Sequence, residues 1–396
     1  MLPINRGDAP HKNKEIGFLL DLPYYNASYT SFPRQELNPP DNNYARERYN
    51  AINNNSKEGV KPMTKEEQEF ERILNRKLIK KFTMAIFKMD VTRFSFPVGY
   101  NEPRTFLERS ADLFGFLTQS YLEKAFNATD PAMRLSYIGV GIAAGYHFYL
   151  QQKKPWNPVL GETYVGRWDN GVTIYGEQTS HHPPVSQIQI FTPDNKWNIH
   201  ARFNFGIDPG ITRVDILQKG LTELDFSDGT HIEWEFPIIA VTGLLQGDRV
   251  VKVSGAVEIA DTTHNLVAVV DVNPSPSKHN GIIKSRPTTV YGGVMPIVPG
   301  SKKAKKKAQF NPVIKGDYCD KLFINDELAW DIQKDIVNRP SKQVNDDELL
   351  LSDCRYRIDR GTLIQGDMDL ADHAKTLIEE CQRHDYKLRD SVPKNH

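Results

Sequence analysis

Three short segments carry side chains whose types and spacing could do chemistry. The first reads Glu177-Gln178-Thr179-Ser180-His181-His182-Pro183-Pro184-Val185-Ser186. Adjacent side chains on a regular strand point to opposite faces. His181 and His182 can therefore serve one ligand only where the backbone leaves ideal pleating. Pro183 and Pro184 enforce such a departure, because neither can donate to a ladder. Imidazole N–H groups are good donors to a phosphate and can gain charge as an anion approaches. The alternative is a strand-end turn with two surface histidines. Zinc fits poorly, since adjacent histidines lack the i, i+4 spacing of a helical ligand pair and no third ligand stands at metal spacing.

The second segment is Lys154-Pro155-Trp156-Asn157-Pro158-Val159-Leu160-Gly161-Glu162. Two prolines and a glycine make a rigid, non-helical connection that can hold Lys154 and Asn157 in fixed positions; an ordinary structural link has the same composition. The third is Lys375, Glu379 and Arg383, spaced i, i+4, i+8 on one helix face. That pattern is commonly a surface ladder of ion pairs. The functional reading is a cationic cradle in which Glu379 holds two cations apart.

The elements that must position these residues follow from periodicity. Thr64 and Glu67 form a capping box, and Phe70, Ile73, Leu74, Leu78, Phe82 and Ile86 make an amphipathic stripe behind it. A second helix is expected from near Pro103, with Phe106, Leu107, Leu113, Phe116 and Leu117 apolar. A third opens at Asp130-Pro131, where proline at the first helical position costs no hydrogen bond. It carries Leu135, Ile138, Ile142 and Tyr146. From Gly161 the period changes to short β-rich runs separated by Asp169-Asn170-Gly171, Asp194-Asn195, Asp228-Gly229 and Gly247-Asp248. The runs are Val185 to Phe191, Trp197 to Phe205, Thr212 to Leu217, His231 to Phe236, Val250 to Glu258 and Leu266 to Val272. Turns at such spacing predict an antiparallel sandwich or barrel, and closure into a barrel removes exposed edges. A last helix is expected over about Asp367 to Tyr386, with Ala371, Ala374, Leu377, Ile378 and Cys381 apolar. The fold class is α+β, mainly β.

Composition excludes several functions. The 396 residues hold 50 Lys plus Arg against 50 Asp plus Glu, so the net charge is zero and a strongly basic nucleic-acid surface is not expected. No run of about 18 apolar residues is present, and Met1 to Glu15 lacks the apolar core of a signal peptide. Cys319, Cys354 and Cys381 are the only cysteines, which fits a reduced, cytoplasmic setting. Neither a Gly-x-Ser-x-Gly elbow nor a Gly-rich phosphate loop occurs, so an enzyme is not expected. Ser301 to Lys307 reads SKKAKKK, placing Lys302, Lys303, Lys305, Lys306 and Lys307 together. The run is either a solvated loop or a contact for anionic lipid.

Taken together, the segments resemble the lipid-binding domain of the oxysterol-binding protein family. Glu-Gln-x-Ser-His-His-Pro-Pro at Glu177 to Pro184 is the most specific match. Asn101-Glu102-Pro103, the Lys154 to Glu162 segment and Ser352-Asp353-x-Arg355-Tyr356-Arg357 agree with the family's order, as does Lys375-x3-Glu379-x-x-Gln382-Arg383. The family's Gly-x-Trp stands here as Gly316-Asp317-Tyr318.

The resemblance implies an incomplete antiparallel barrel enclosing a lipid tunnel, with helices beside it and an N-terminal lid. It divides the chain into an extension over 1–62 and a lipid-binding domain over 63–396. Within that domain helices span 64–153, the barrel 161–325 and a C-terminal helical region 326–396. It further implies lipid transfer between membranes by a short, stand-alone, cytoplasmic monomer that touches anionic membranes peripherally at contact sites. The ligand would be phosphatidylinositol 4-phosphate, its headgroup held by Lys154, Asn157, His181, His182, Lys375, Glu379 and Arg383. The counter-ligand would be sterol, or else phosphatidylserine; a lipid sensor or scaffold is the other reading. Tyr146 is the expected tunnel residue, and Phe18, Leu19, Leu20 and Leu22 the expected lid. No cofactor, metal or nucleic acid is implied.

Overall fold

The computed structural model describes residues 65–66, 69–70, 72–76, 96–150, 153–210, 212–243, 250–274, 286–297, 309–335 and 349–390. The described residues between 65 and 76 are helical. Of the expected apolar stripe there, Leu74 is buried while Phe70 and Ile73 are exposed. Leu74 packs with Tyr100, whose hydroxyl donates to Asn75 Oδ1 at 2.6 Å. Thr64, Glu67, Leu78, Phe82 and Ile86 lie outside the described residues.

The segment at Asn101-Glu102-Pro103 does not open a helix. Asn101–Thr105 is a strand, β1, and the helix α1 starts at Phe106 and runs to Phe116. The start is set by Thr105, where a capping box with Glu108 is present and the Thr105 N–H donates to the Glu108 carboxylate at 3.3 Å. A single wide turn over Leu117–Tyr121 joins α1 to α2 (Leu122–Asn127). Helix α3 (Pro131–Gly145) begins as expected, with the Asp130 side chain accepting the Ala132 N–H and Pro131 at the first position.

Strand β2 (Lys154–Trp156) pairs with β1 in parallel. Fourteen further strands form one antiparallel sheet. They are β3 (Thr163–Arg167), β4 (Thr173–His181), β5 (Pro184–Phe191), β6 (Trp197–Pro209), β7 (Arg213–Lys219), β8 (Thr222–Phe226) and β9 (His231–Trp234). β10 (Ile238–Thr242), β11 (Val250–Asp261), β12 (Leu266–Val272), β13 (Thr289–Pro296), β14 (Val313–Asp317), β15 (Lys321–Ile324) and β16 (Glu327–Asp331) complete it. The expected turn signals do form turns. Gly171 and Gly229 adopt φ of 83° and 89°, a left-handed backbone that favours glycine. Gly247-Asp248 lies outside the described residues.

The sheet runs β16-β15-β14-β13-β12-β11-β10-β7-β6-β5-β4-β3, with the β8–β9 pair also joined to β6 and β11. Its outer strands β3 and β16 do not pair with each other among the described residues, so the barrel is incomplete. It ends at Asp331, past the expected boundary at 325, because Glu327–Asp331 pairs with β15 before the short helix α4 (Ile332–Asp335).

Two helices pack on the sheet. Phe106 of α1 meets Phe203 and Phe205 of β6 edge-on, with ring centroids at 5.0 and 4.5 Å. Helix α3 packs on β11 to β14, and most of its residues are buried. A side chain at Gly139 would press to 3.0 Å from Ile314 Cδ1, and one at Gly145 to 2.6 Å from the Leu113 carbonyl. Glycine thus lets α3 approach the sheet on one side and α1 on the other.

The described chain divides into two compact units, one ending at Cys354 and the other taking up the chain from Arg355. The second holds helices α5 (Ile358–Ile364) and α6 (Met368–Asp390), which pack together. No described helix is long and apolar enough to cross a membrane.

Candidate functional site

The first unit gathers parts of four sequence motifs at one end of the sheet. Register decides this. Thr163, the first residue of β3, lies opposite Glu177 of β4, so β4 overruns β3 by four residues and ends at His181. The Lys154 to Glu162 loop enters β3 at that same end. Gly161 N–H donates to the Gln178 carbonyl and Gln178 N–H to the Glu162 carbonyl, both at 2.9 Å. Thr163 N–H donates to the Ser352 carbonyl at 2.9 Å, and the two hydroxyls lie 2.9 Å apart. Asn101 of β1 pairs with Lys154 and donates from Nδ2 to the Pro155 carbonyl at 3.2 Å.

The expected departure from pleating at the histidines is present as a register shift between Gln178 and Ser180. An extra residue on one strand re-aims the side chains beyond it. Buried Gln178 fixes the shift: its Nε2 donates to the Ser180 carbonyl at 2.7 Å, and its Oε1 accepts from Ser186 Oγ at 2.5 Å. The His181 and His182 rings then lie edge to face, with centroids 4.7 Å apart. His182 is exposed and His181 half-buried.

Lys154 and Asn157 come together. Lys154 Nζ donates to the Pro155 carbonyl at 3.1 Å and to Asn157 Oδ1 at 3.4 Å, and lies 5.5 Å from the Phe96 ring centre. Buried Glu162 braces the loop by accepting the Val159 N–H at 3.0 Å.

In the second unit, Lys375 Nζ donates to Glu379 Oε1 at 2.6 Å, and Arg383 Nη1 approaches Glu379 Oε2 at 3.9 Å. Glu379 therefore stands between the two cations, as the spacing predicts. Lys375 is only 8% exposed, which sets it apart from an ordinary surface ladder.

Tyr146 is fully buried just beyond α3, with its ring edge-on to Tyr318 at 5.9 Å. Neither phenol has a hydrogen-bond partner among the described residues, and burial raises the pKa of both. Tyr149 does have a partner: its hydroxyl donates to Gln218 Oε1 at 3.0 Å. Gln218 belongs to no short motif. The single sequence signal for Tyr318 is its place in Gly316-Asp317-Tyr318. An unmet buried hydroxyl costs about 1–3 kcal/mol. Tyr318→Phe, which deletes one, is expected to raise ligand-free stability by about 1 kcal/mol in urea denaturation.

Two expected groups lie outside the described residues: Phe18, Leu19, Leu20 and Leu22, and Lys302, Lys303, Lys305, Lys306 and Lys307.

The model for the oxysterol-binding protein family matches residues 79–396. The chain belongs to that family. It is 27% identical over 313 residues to oxysterol-binding protein 9 of Dictyostelium discoideum, covering 76% of this chain and 72% of that one. It is 26% identical over 317 residues to oxysterol-binding protein-related protein 3B of Arabidopsis thaliana, covering 76% and 68%. Among solved structures, the Osh3 ORD in complex with PI(4)P from Saccharomyces cerevisiae aligns with a TM-score of 0.61 at 19% identity, over 78% of this chain and 85% of that one. The Osh1 ORD domain in complex with cholesterol aligns at 0.60 and 22%, over 76% of each chain. These structural likenesses establish the shared α+β fold, an incomplete antiparallel barrel with helices.

Proposed function

We propose that this oxysterol-binding protein relative extracts phosphatidylinositol 4-phosphate from one membrane and exchanges it for sterol at another. The observation that carries the reading is that the Lys154–Asn157 loop and the strand ending at His181 and His182 are bonded to each other at one end of the sheet. Four distant stretches of chain are tied together there by backbone hydrogen bonds. The same proposal assigns Lys375, Glu379 and Arg383 to the headgroup, each set being built within its own unit. Family relatives in complex with PI(4)P and with cholesterol support the ligand pair.

The physical task is differential solvation. A lipid monomer in water exposes chains at a cost of about 0.8 kcal/mol per CH₂, which an apolar interior removes. Its phosphates must then be paired, because an unpaired buried anion is prohibitively costly. Lys154, Lys375 and Arg383 offer charge-assisted bonds, and the imidazoles offer N–H donors. Two ligands for one interior compete, so a gradient in one drives the other. Sterol is favoured over phosphatidylserine by Tyr146 and Tyr318, two buried phenols suited to a single ligand hydroxyl.

The test is transfer between donor liposomes holding the phosphoinositide and acceptor liposomes holding sterol. Transfer of each lipid should accelerate, and each should depend on the other. Full binding without accelerated transfer would instead establish a sensor. Acceleration by phosphatidylserine but not sterol would change the counter-ligand. Mass spectrometry of the recovered lipids should show them chemically intact; a cleaved lipid would overturn the non-enzymatic reading.

A further inference from the structure

The Asn101-Glu102-Pro103 segment lies on β1, and its first side chain reaches the loop that carries Lys154. Asn101 is fully buried. Its Nδ2 donates to the Pro155 carbonyl at 3.2 Å. The same carbonyl accepts from Lys154 Nζ at 3.1 Å. A carbonyl oxygen has two lone pairs and can take both donors. The buried amide and the half-buried lysine are thus joined through one oxygen.

Backbone pairing at this junction is thin. β1 and β2 are in register at Asn101 with Lys154 and at Thr105 with Trp156, with an irregularity between. The Asn101 side chain adds a direct tie at the Lys154 end. Its Oδ1 is buried with no hydrogen-bond partner among the described residues, an arrangement that costs stability. A residue needed only to fill space would not carry that cost. The engaged donor, Nδ2, is therefore the chemical reason for an amide at this position. The Lys154 ammonium has two further neighbours: Asn157 Oδ1, which accepts at 3.4 Å, and the Phe96 ring, whose centre lies at 5.5 Å. These two and the Pro155 carbonyl are uncharged, so they fix the ammonium without neutralising it.

We propose that Asn101 is a positioning residue for Lys154: through the Pro155 carbonyl it sets where the ammonium is presented to a phosphate. Without the Nδ2 donor the carbonyl loses its tie to the Asn101 side chain, and the ammonium held by that carbonyl loses its fixed place. A charge-assisted bond to an anion depends on such placement. The effect on binding rests on the headgroup reading; the placement of Lys154 stands without it.

The experiment compares the full chain with Asn101→Ala, Asn101→Leu, Lys154→Ala and Asn101→Leu/Lys154→Ala. Leucine keeps the space filled should the alanine variant fail to fold. Soluble short-chain phosphatidylinositol 4-phosphate is titrated by calorimetry. Asn101→Leu is expected to lose roughly tenfold in affinity in the parent background. In the Lys154→Ala background it should lose less than about twofold, since a residue acting through Lys154 then has nothing to act on. A purely structural Asn101 would cost the same factor in both backgrounds, and equal losses would overturn the proposal. Unfolding of both Asn101 variants would do so too. A second measurement follows acylation of Lys154 by a soluble amine reagent without ligand, read by peptide mass spectrometry. Freeing the ammonium is expected to speed its labelling roughly threefold, with Lys219 and Lys252 unchanged. Labelling at the parent's rate in the Asn101 variants would also overturn the assignment. If Lys154→Ala binds the short-chain ligand as the parent does, the headgroup reading loses Lys154, and the labelling rate alone decides whether Asn101 positions it.

Discussion

The double change His181→Ala with His182→Ala is expected to abolish extraction of phosphatidylinositol 4-phosphate from liposomes while leaving the unfolding midpoint unchanged. The imidazoles stand at the overrunning end of β4, where His182 is exposed and His181 half-buried. The unusual backbone that aims them is held by Gln178 through Ser180 and Ser186. The brace on β4 lies in Gln178 rather than in the rings, so the double change leaves it in place. A hydrogen bond to a charged group contributes about 1.5–3 kcal/mol. Losing two lowers affinity by roughly two to four orders of magnitude, enough to end extraction at micromolar protein. Gln178→Ala is the informative companion: it should reduce extraction with both histidines present, because the shift in β4 loses its brace. Extraction equal to the parent's in the double variant would count decisively against the assigned site.

Much of this architecture was legible because turns and caps are local. Asp169-Asn170-Gly171, Asp194-Asn195 and Asp228-Gly229 form the turns their side chains and glycines favour. Asp130-Pro131 opens a helix for reasons contained in two residues. What was not legible depended on distance along the chain. Asn101–Thr105 looks like the entry to a helix, since Pro103 tolerates a helix start. It becomes a strand because Lys154–Trp156, about fifty residues later, supplies a parallel partner and Thr105 caps the helix behind it. The site followed the same rule. His181 with His182, and Lys375 with Glu379, announce themselves by spacing. The Tyr146–Tyr318 contact joins residues far apart along the chain, and no local pattern encodes it.

The largest effect on stability is expected from the ion cluster at the junction of β1 and α1. Glu102, Arg104, Arg109 and Asp112 are all buried. Arg104 pairs with Asp112, and with Glu102 Oε2 at 3.1 Å; Arg109 pairs with Glu102 and donates to the Phe148 carbonyl. Burial alone would lower the Arg104 pKa, yet Asp112, Glu102 and Glu108 together raise it. The cation is thus held by its carboxylates. Glu102→Ala removes a partner from both arginines at once, and breaking a buried pair in this way costs about 3–5 kcal/mol. Glu102→Gln keeps the shape and some hydrogen bonding, so its cost should be smaller. Function should fall with stability, because β1 is the strand on which Lys154 is registered. Loosening it frees the loop that fixes Lys154 beside Asn157. Urea denaturation of the two variants checks the energy, and short-chain ligand binding below the transition checks the coupling. A Glu102→Ala protein within about 1 kcal/mol of the parent would show that the arginines find other partners. A destabilised variant with undiminished ligand binding would show that Lys154 keeps its place without β1.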